Sequence, residues 1–180
     1  MKVTKSKIML ILPCMPWIKY GKNFENGTFW KIVRKHIKPY LKFIDIYAID
    51  CIRLRSSRRM IGLWSPYKDK EILDEILHEK LDSYPAWEKY KNNPKAREEL
   101  KQQVRNKLVR LREVYESKVA YLNVRVYYEC IKDLAPEFRI ILLPKAIPWR
   151  TPRVTYSTKY VNELVHVLSE LLCARICDKR

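Results

Sequence analysis

The sequence predicts an α/β protein: a single three-layer domain, residues 1–180, with a small, mainly parallel sheet flanked by helices. Short apolar runs alternate along the chain with segments of helical periodicity, which is typical of a parallel sheet. The first run is continuously apolar, as expected for a strand covered on both faces. A chain of 180 residues is also long enough to form one domain with a substantial core. An α+β arrangement is the alternative.

Three segments are predicted strands, each of them apolar. They are residues 7–12, residues 43–51 and residues 138–143. Pro13 ends the first and Pro144 ends the third, because proline cannot donate a hydrogen bond to a neighbouring strand. The loop that follows such a strand is where parallel α/β sheets bind ligands.

Four segments have the spacing of apolar residues that is expected of helices. They span about residues 28–41, 69–81, 95–118 and 157–176. Asn93 and Pro94 predict the start of the third helix, because asparagine caps helix N-termini and proline suits the first helical position. Residues 121–134 combine strand-like alternation with helical spacing, and we predict a short strand or turn followed by a helix.

Positive charge is concentrated in the first part of the chain. The formal net charge is +17. Residues 1–68 contain 15 Lys or Arg and 3 acids, a net +12, whereas residues 69–180 contain 22 and 17, a net +5. Such asymmetry indicates nucleic acid or another anionic surface as partner. The alternative is a basic protein whose charge serves only solubility.

The most cationic stretch, residues 53–59, directly follows the second predicted strand. It contains four arginines with no carboxylate between them, and Ser56 and Ser57 could donate hydrogen bonds to phosphate beside them. The predicted phosphate contacts of this stretch are Arg53, Arg55, Arg58 and Arg59.

A second cationic set lies on the helix predicted over residues 28–41. Its members, spaced i, i+3, i+4 and i+7, form one stripe without acids: Lys31, Arg34, Lys35 and Lys38. Four like charges on one stripe repel each other, and a bound polyanion would relieve that repulsion. A solvated helix face is the alternative.

A third cationic segment, residues 145–156, places aromatic side chains between cations. This composition suits stacking on unpaired bases, and it suits simple loop packing equally well. The predicted nucleic-acid-binding residues of this segment are Trp149, Arg150, Arg153 and Tyr156.

Motifs that carry chemistry are few. The three glycines cannot form a phosphate loop or a dinucleotide fingerprint, so no cofactor is expected. Cys173 and Cys177 are four residues apart on a helix without a second pair, which favours packing over a metal site. Cys14 follows the first strand near Lys19, and neighbouring cations favour the nucleophilic thiolate. A catalytic pair, Cys14 and Lys19, is therefore one interpretation, and a small apolar loop anchor is the other.

No apolar run approaches the roughly 20 residues that a membrane span requires, so no membrane partner is expected. Residues 8–12 follow basic residues, as in a secretory signal, but this run is too short and stops at Pro13. Five cysteines, an odd number without such a signal, predict reduced thiols and a cytoplasmic location.

The order of several pieces resembles the catalytic domain of the archaeosine synthase family, which modifies a base in archaeal tRNA. The pieces are Leu12-Pro13-Cys14 followed by Lys19-Tyr20, the segment from Tyr84-Pro85 to Tyr90 before a long helix, and a final strand and helix. The resemblance covers most of the chain. Lys22 and Asn23 stand where the family has Ser and His, and the arginine stretch replaces a Gly-Leu-Val-Pro-like turn. With those positions changed, the resemblance implies an RNA-binding α/β body rather than the family's activity.

Together these observations predict a nucleic-acid-binding protein that prefers RNA, tRNA among the candidates, and contacts phosphates through its basic N-terminal third. One alternative is a tRNA base-modifying enzyme that uses Cys14 and Lys19. Another is a structural component of a ribonucleoprotein or a viral nucleoprotein particle, with a homo-oligomer as a further option. Phosphate contacts alone do not distinguish RNA from DNA.

Overall fold

The computed structural model of the protein describes residues 7–13, 28–79, 92–122, 124–143 and 158–177. The elements in these ranges are β1 (Ile8–Pro13), α1 (Thr28–Ile37), a 3-10 helix (Lys38–Phe43), β2 (Ile44–Arg53), β3 (Met60–Trp64), α2 (Lys70–Glu79), α3 (Pro94–Arg110), β4 (Ser117–Tyr121), α4 (Arg125–Phe138), β5 (Ile140–Leu143) and α5 (Thr158–Cys177). The strands form one sheet of order β3-β2-β1-β4-β5. All pairs are parallel except β2 with β3, so the predicted α/β class with a mainly parallel sheet is confirmed.

Helices cover both faces of the sheet and make three layers. Successive residues of a strand point to opposite faces, so Ile46 and Ala48 of β2 face one way and Tyr47 and Ile49 the other. The first face is covered by α1, α2 and α5, with the buried side chains Val33, Ile37, Ile76, Val161, Leu164 and Leu168. The second face is covered by α3 and α4, with Leu100, Val104, Leu108, Val126, Ile131 and Leu134.

β3 was not predicted from the sequence. Gly62 lies inside β3 and pairs with Asp50 across the hairpin. The glycine has φ +72°, and a Cβ atom added to it would lie 2.7 Å from the Cβ of Gln103 on α3. Glycine is therefore required where α3 crosses β3 closely. The arginine stretch is consequently the turn of a β2–β3 hairpin.

Three predicted boundaries were wrong. The helix predicted over 95–118 ends at Arg110, and residues 117–121 form β4 instead. Burial of β4 between β1 and β5 outweighs the helical spacing, as happens when tertiary pairing competes with local propensity. The strand predicted over residues 138–143 is β5, which begins only at Ile140 because α4 continues through Pro136 to Phe138. The α1 helix tightens into a 3-10 helix at Lys38, directly before Pro39.

The cap of α3 is as predicted. The side-chain oxygen of Asn93 accepts a hydrogen bond from the backbone N–H of Ala96 at 3.1 Å, and Pro94 occupies the first helical position. α3 then runs across the second face from the carboxyl ends of the parallel strands towards their amino ends. Its two ends are fixed by the contacts of Glu99 with Arg53 and of Lys107 with Asp69.

The parallel strands end at one edge of the sheet, which we call the carboxyl edge. β1, β4 and β5 end there at Pro13, Tyr121 and Leu143. β2 continues past Ile49, the residue that pairs with Pro13, to Arg53. Those extra residues carry the hairpin about 13 Å beyond the end of β1, at roughly 3.3 Å per residue. Among the helices that the structure describes, none is long and apolar enough to cross a membrane.

Candidate nucleic-acid interface

The arginine turn, residues 54–59, joins β2 to β3 beyond the carboxyl edge. The N–H of Leu54 donates to the carbonyl oxygen of Arg59 at 2.9 Å and closes the turn. Leu54 and Met60, at its two ends, are wholly buried, whereas the residues between them are exposed. Arg58 lies in the left-handed region with φ +53°. The turn is thus anchored at its base and presents its tip to solvent.

Arg53 does not belong to the exposed set. Its guanidinium pairs with the carboxylate of Glu99 on α3, and its Nη1 donates to the carbonyl oxygen of Arg58 at 2.6 Å. No carboxylate lies between the four arginines in the sequence, but the fold brings Glu99 of α3 to Arg53. Its side chain supports the turn and links it to α3.

Glu79, the last residue of α2, holds the arginine turn from the first face of the sheet. Its carboxylate accepts hydrogen bonds from the N–H of Arg55 at 2.6 Å and from the N–H of Ser56 at 3.1 Å. It also accepts one from the hydroxyl of Ser56 at 2.5 Å. Ser56, predicted as a phosphate donor, donates to Glu79 in the structure.

Three guanidiniums of the turn remain available. Arg55, Arg58 and Arg59 are exposed, and within the described ranges none of them forms an ion pair with a carboxylate. The contacts from Glu79 and Arg53 hold backbone groups of the turn and use none of these three side chains. Three unpaired cations on a fixed turn make a surface suited to phosphate groups.

The cationic stripe on α1 is largely solvent-exposed. Val33 and Ile37 are buried against the sheet, whereas Lys31, Lys35 and Lys38 are exposed. Arg34 is half-buried and already interacts with another group of the protein, so it differs from the three exposed lysines. In the chain, α1 follows β1 and precedes β2, and these two strands are parallel. The N-terminal end of α1, which carries Lys31, is therefore the end nearer the carboxyl edge.

Six of the predicted site residues lie outside the described residues. They are Cys14, Lys19, Trp149, Arg150, Arg153 and Tyr156. The chain reaches both segments from neighbouring parts of one edge, because β1 ends at Pro13 and β5 ends at Leu143. The strand order changes direction between β1 and β4, and parallel α/β sheets bind ligands beside such a switch point.

A buried polar cluster at the opposite edge was not predicted. Asp45, near the start of β2, accepts hydrogen bonds from Lys68, from the hydroxyl of Tyr115 at 2.7 Å and from Lys7 at 3.0 Å. Tyr115 also lies 3.3 Å from the hydroxyl of Tyr47. Burial alone would raise the pKa of Asp45, but the hydrogen bonds from Lys68, Tyr115 and Lys7 outweigh it and hold that pKa below its ordinary value. An acid inside an apolar strand was the sequence signal for this cluster.

Several cations of α3 are paired within the fold. Three ion pairs join α3 to α4 at regular intervals: Arg97 with Glu129 at 3.8 Å, Lys101 with Asp133 at 2.8 Å, and Arg105 with Glu137 at 3.0 Å. Partners in every pair are 32 residues apart, so the two helices run parallel to each other. These three cations are matched internally, and the larger net charge, +12 against +5, belongs to residues 1–68.

Reactive groups are scarce in the described ranges. Cys51 and Cys130 are buried, and burial raises the pKa of each thiol to about 12, so both stay protonated and unreactive. Cys173 is exposed. No three His, Cys, Asp or Glu side chains of the described ranges come together as a metal site.

No family model, no curated protein and no solved structure matches this chain. The resemblance of the Leu12-Pro13-Cys14 pattern to the archaeosine synthase family therefore stays a prediction.

Proposed function

We propose that this protein binds nucleic acid, RNA in preference to DNA, through the arginine turn. The observation that carries the proposal is the state of Arg55, Arg58 and Arg59. They are exposed, close in sequence and unpaired with any carboxylate that the structure describes, while the neighbouring Arg53 is paired. Phosphate groups are the ligands that clustered guanidiniums bind best.

The turn is also preorganised for binding. Its closing hydrogen bond and the contact of Arg53 with the carbonyl oxygen of Arg58 fix the backbone. Binding therefore orders only the arginine side chains, at a cost of about 0.5–1.5 kcal/mol each. A flexible loop with the same charges would lose more conformational entropy on binding.

The position of the turn supports a longer ligand. It stands beyond the carboxyl edge, the same edge from which the chain continues into residues 14–27 and 144–157. These segments contain further cations and the aromatic residues Trp149 and Tyr156. Aromatic side chains stack on unpaired bases, which single-stranded and looped RNA offers and duplex DNA does not.

Competition binding tests the proposal. Fluorescence anisotropy would compare a folded tRNA, a single-stranded RNA and a duplex DNA of matched length at about 150 mM salt. We expect saturable binding to both RNAs and weaker binding to the duplex. The test includes an arginine triple variant, Arg55→Gln, Arg58→Gln and Arg59→Gln, which should bind all three ligands more weakly. Equal binding by wild type and variant, or tighter binding of the duplex, would refute the proposal.

A second candidate function is modification of the bound RNA. One observation favours it: Cys14 directly follows Pro13, the end of β1, which is one of the two strands beside the switch point. In this interpretation Cys14 is a nucleophile and Lys19 lowers its pKa. Nucleoside analysis of RNA from cells with and without the protein should then reveal a changed nucleoside, and Cys14→Ala should remove it without weakening RNA binding. Identical nucleosides would exclude this function.

A further inference from the structure

Three hydrogen-bond donors of the arginine turn converge on one acceptor group. The N–H of Arg55 donates to Oε2 of Glu79, and the N–H and hydroxyl of Ser56 donate to Oε1. The donors come from two successive residues, so the turn forms a small concave site. Successive backbone N–H groups in a turn are a recurrent anion site in proteins, and phosphate is among their common ligands.

The occupant of this site is a carboxylate from another element. Glu79 belongs to α2, which packs on the first face of the sheet. The Ser56 hydroxyl and the Arg55 N–H hold the pKa of Glu79 below its ordinary value, so it is ionised at neutral pH.

We propose that this concave site binds a phosphate of the RNA backbone and that Glu79 is an internal competitor which the phosphate displaces. The inference rests on the proposed function and names the contact at its centre. A phosphodiester offers oxygen acceptors to the same three donors that Glu79 occupies. It also brings neighbouring phosphates, which a single carboxylate lacks, within reach of Arg58 and Arg59.

Displacement leaves no donor of the turn unsatisfied, because each N–H and the hydroxyl exchange one anion for another. Glu79 therefore occupies the site while RNA is absent, and it lowers the affinity for isolated anions. Only a ligand with several phosphates gains enough from the arginines to replace it.

Substitution of Glu79 tests this exchange against a purely structural role. We expect Glu79→Gln and Glu79→Ala each to tighten binding of a fluorescent single-stranded RNA by about tenfold, because the competitor is removed. The matched control is Glu75→Gln, which removes the same charge one turn earlier on α2. It should tighten binding by about twofold or less, the effect of general electrostatics alone. Equal or weaker binding by both Glu79 variants would overturn the inference.

Amide spectra of the wild-type protein provide a second readout that needs no substitution. Saturating RNA should shift the amide resonances of Arg55 and Ser56, since their acceptor changes. If only the resonances of Arg58 and Arg59 move, Glu79 keeps its place and the inference is wrong. The arginine triple variant distinguishes the failure of the two proposals. If the proposed function is wrong, this variant keeps the full RNA affinity of the wild type. If only the role of Glu79 is wrong, this variant still loses RNA affinity.

Discussion

Arg53 and Glu99 form an ion pair that ties the end of β2 to α3. Their side chains are 37% and 34% exposed, so the pair is partly shielded from solvent. Arg53 also donates to the carbonyl oxygen of Arg58. Of the four arginines in residues 53–59, Arg53 thus stabilises the hairpin, and the other three are exposed to solvent.

This division predicts opposite effects for two similar substitutions. Arg53→Gln should lower the free energy of unfolding by about 1 kcal/mol, because it removes the ion pair with Glu99 and weakens the support of the turn. Arg59→Gln should leave stability unchanged and weaken RNA binding. Urea unfolding and anisotropy on both variants check the prediction. A stable Arg53→Gln protein with impaired binding would show that Arg53 contacts RNA instead.

Gly62→Ala should be strongly destabilising. The new methyl group would lie 2.7 Å from the Cβ of Gln103, and the backbone at Gly62 is in the left-handed region with φ +72°. Strain and the forced separation of α3 from β3 should together cost about 3 kcal/mol. Denaturant unfolding measures this loss.

A double-mutant cycle identifies the clash as the cause. Gln103→Gly removes the opposing Cβ, so it should cost less in the Gly62→Ala background than in the wild type. Additive losses would mean that the clash contributes nothing and that the backbone strain at Gly62 accounts for the effect.

Asp45 should make stability depend on pH in the acid range. Its pKa in the folded protein is below the ordinary value of 3.8, because hydrogen bonds from Lys68, Tyr115 and Lys7 outweigh the effect of burial. The stabilisation is therefore complete above that ordinary value and is lost as the pH falls through the lower, folded pKa. Asp45→Asn should cost about 2 kcal/mol at neutral pH and progressively less as the pH falls through that range.

Unfolding experiments at neutral pH and at several acid pH values measure this difference. Asp74→Asn, at an exposed position on α2, is the control and should change stability little at any pH. A penalty for Asp45→Asn that is the same at every pH would contradict the role assigned to the ionised carboxylate.

The spacing of apolar residues and the capping residues were sufficient to predict an element that is long or has a strong cap. The buried run of β1, the Asn93 cap of α3 and the periodicity of α5 all lie in the elements predicted. Two short strands were missed for different reasons. β3 is only five residues long and contains Gly62, which is unusual inside a strand. β4 follows Tyr115, which keeps the helical spacing of the apolar residues of α3, so the sequence predicted a longer helix there. Tyr115 is buried because its hydroxyl reaches Asp45, not because it lies on a helix.

The candidate site was only partly readable from sequence because its decisive contacts are distant in the chain. Glu99 is 46 residues from Arg53, and Glu79 is 24 residues from Arg55. No local spacing relates these residues, so the sequence suggested four equivalent arginines. The exposure of Lys31, Lys35 and Lys38, by contrast, follows from helical periodicity alone.

A matched control exists for the loss of charge at the arginine turn. Lys70, Arg110 and Lys132 are exposed and, within the described ranges, form no ion pair. They lie on α2, α3 and α4, away from the turn. Substitution of all three by glutamine gives a control triple variant with the same net charge as the arginine triple variant.

The salt dependence of RNA binding by these two variants is the most direct test of the account. Each phosphate contact contributes about 0.7 to the slope of log affinity against log salt for a single strand. Loss of Arg55, Arg58 and Arg59 should therefore reduce the slope by about 2 between about 50 and 300 mM salt, and the control triple should keep the wild-type slope. Equal slopes for both variants, or an affinity that ignores salt, would contradict the claim that the arginine turn binds RNA phosphates.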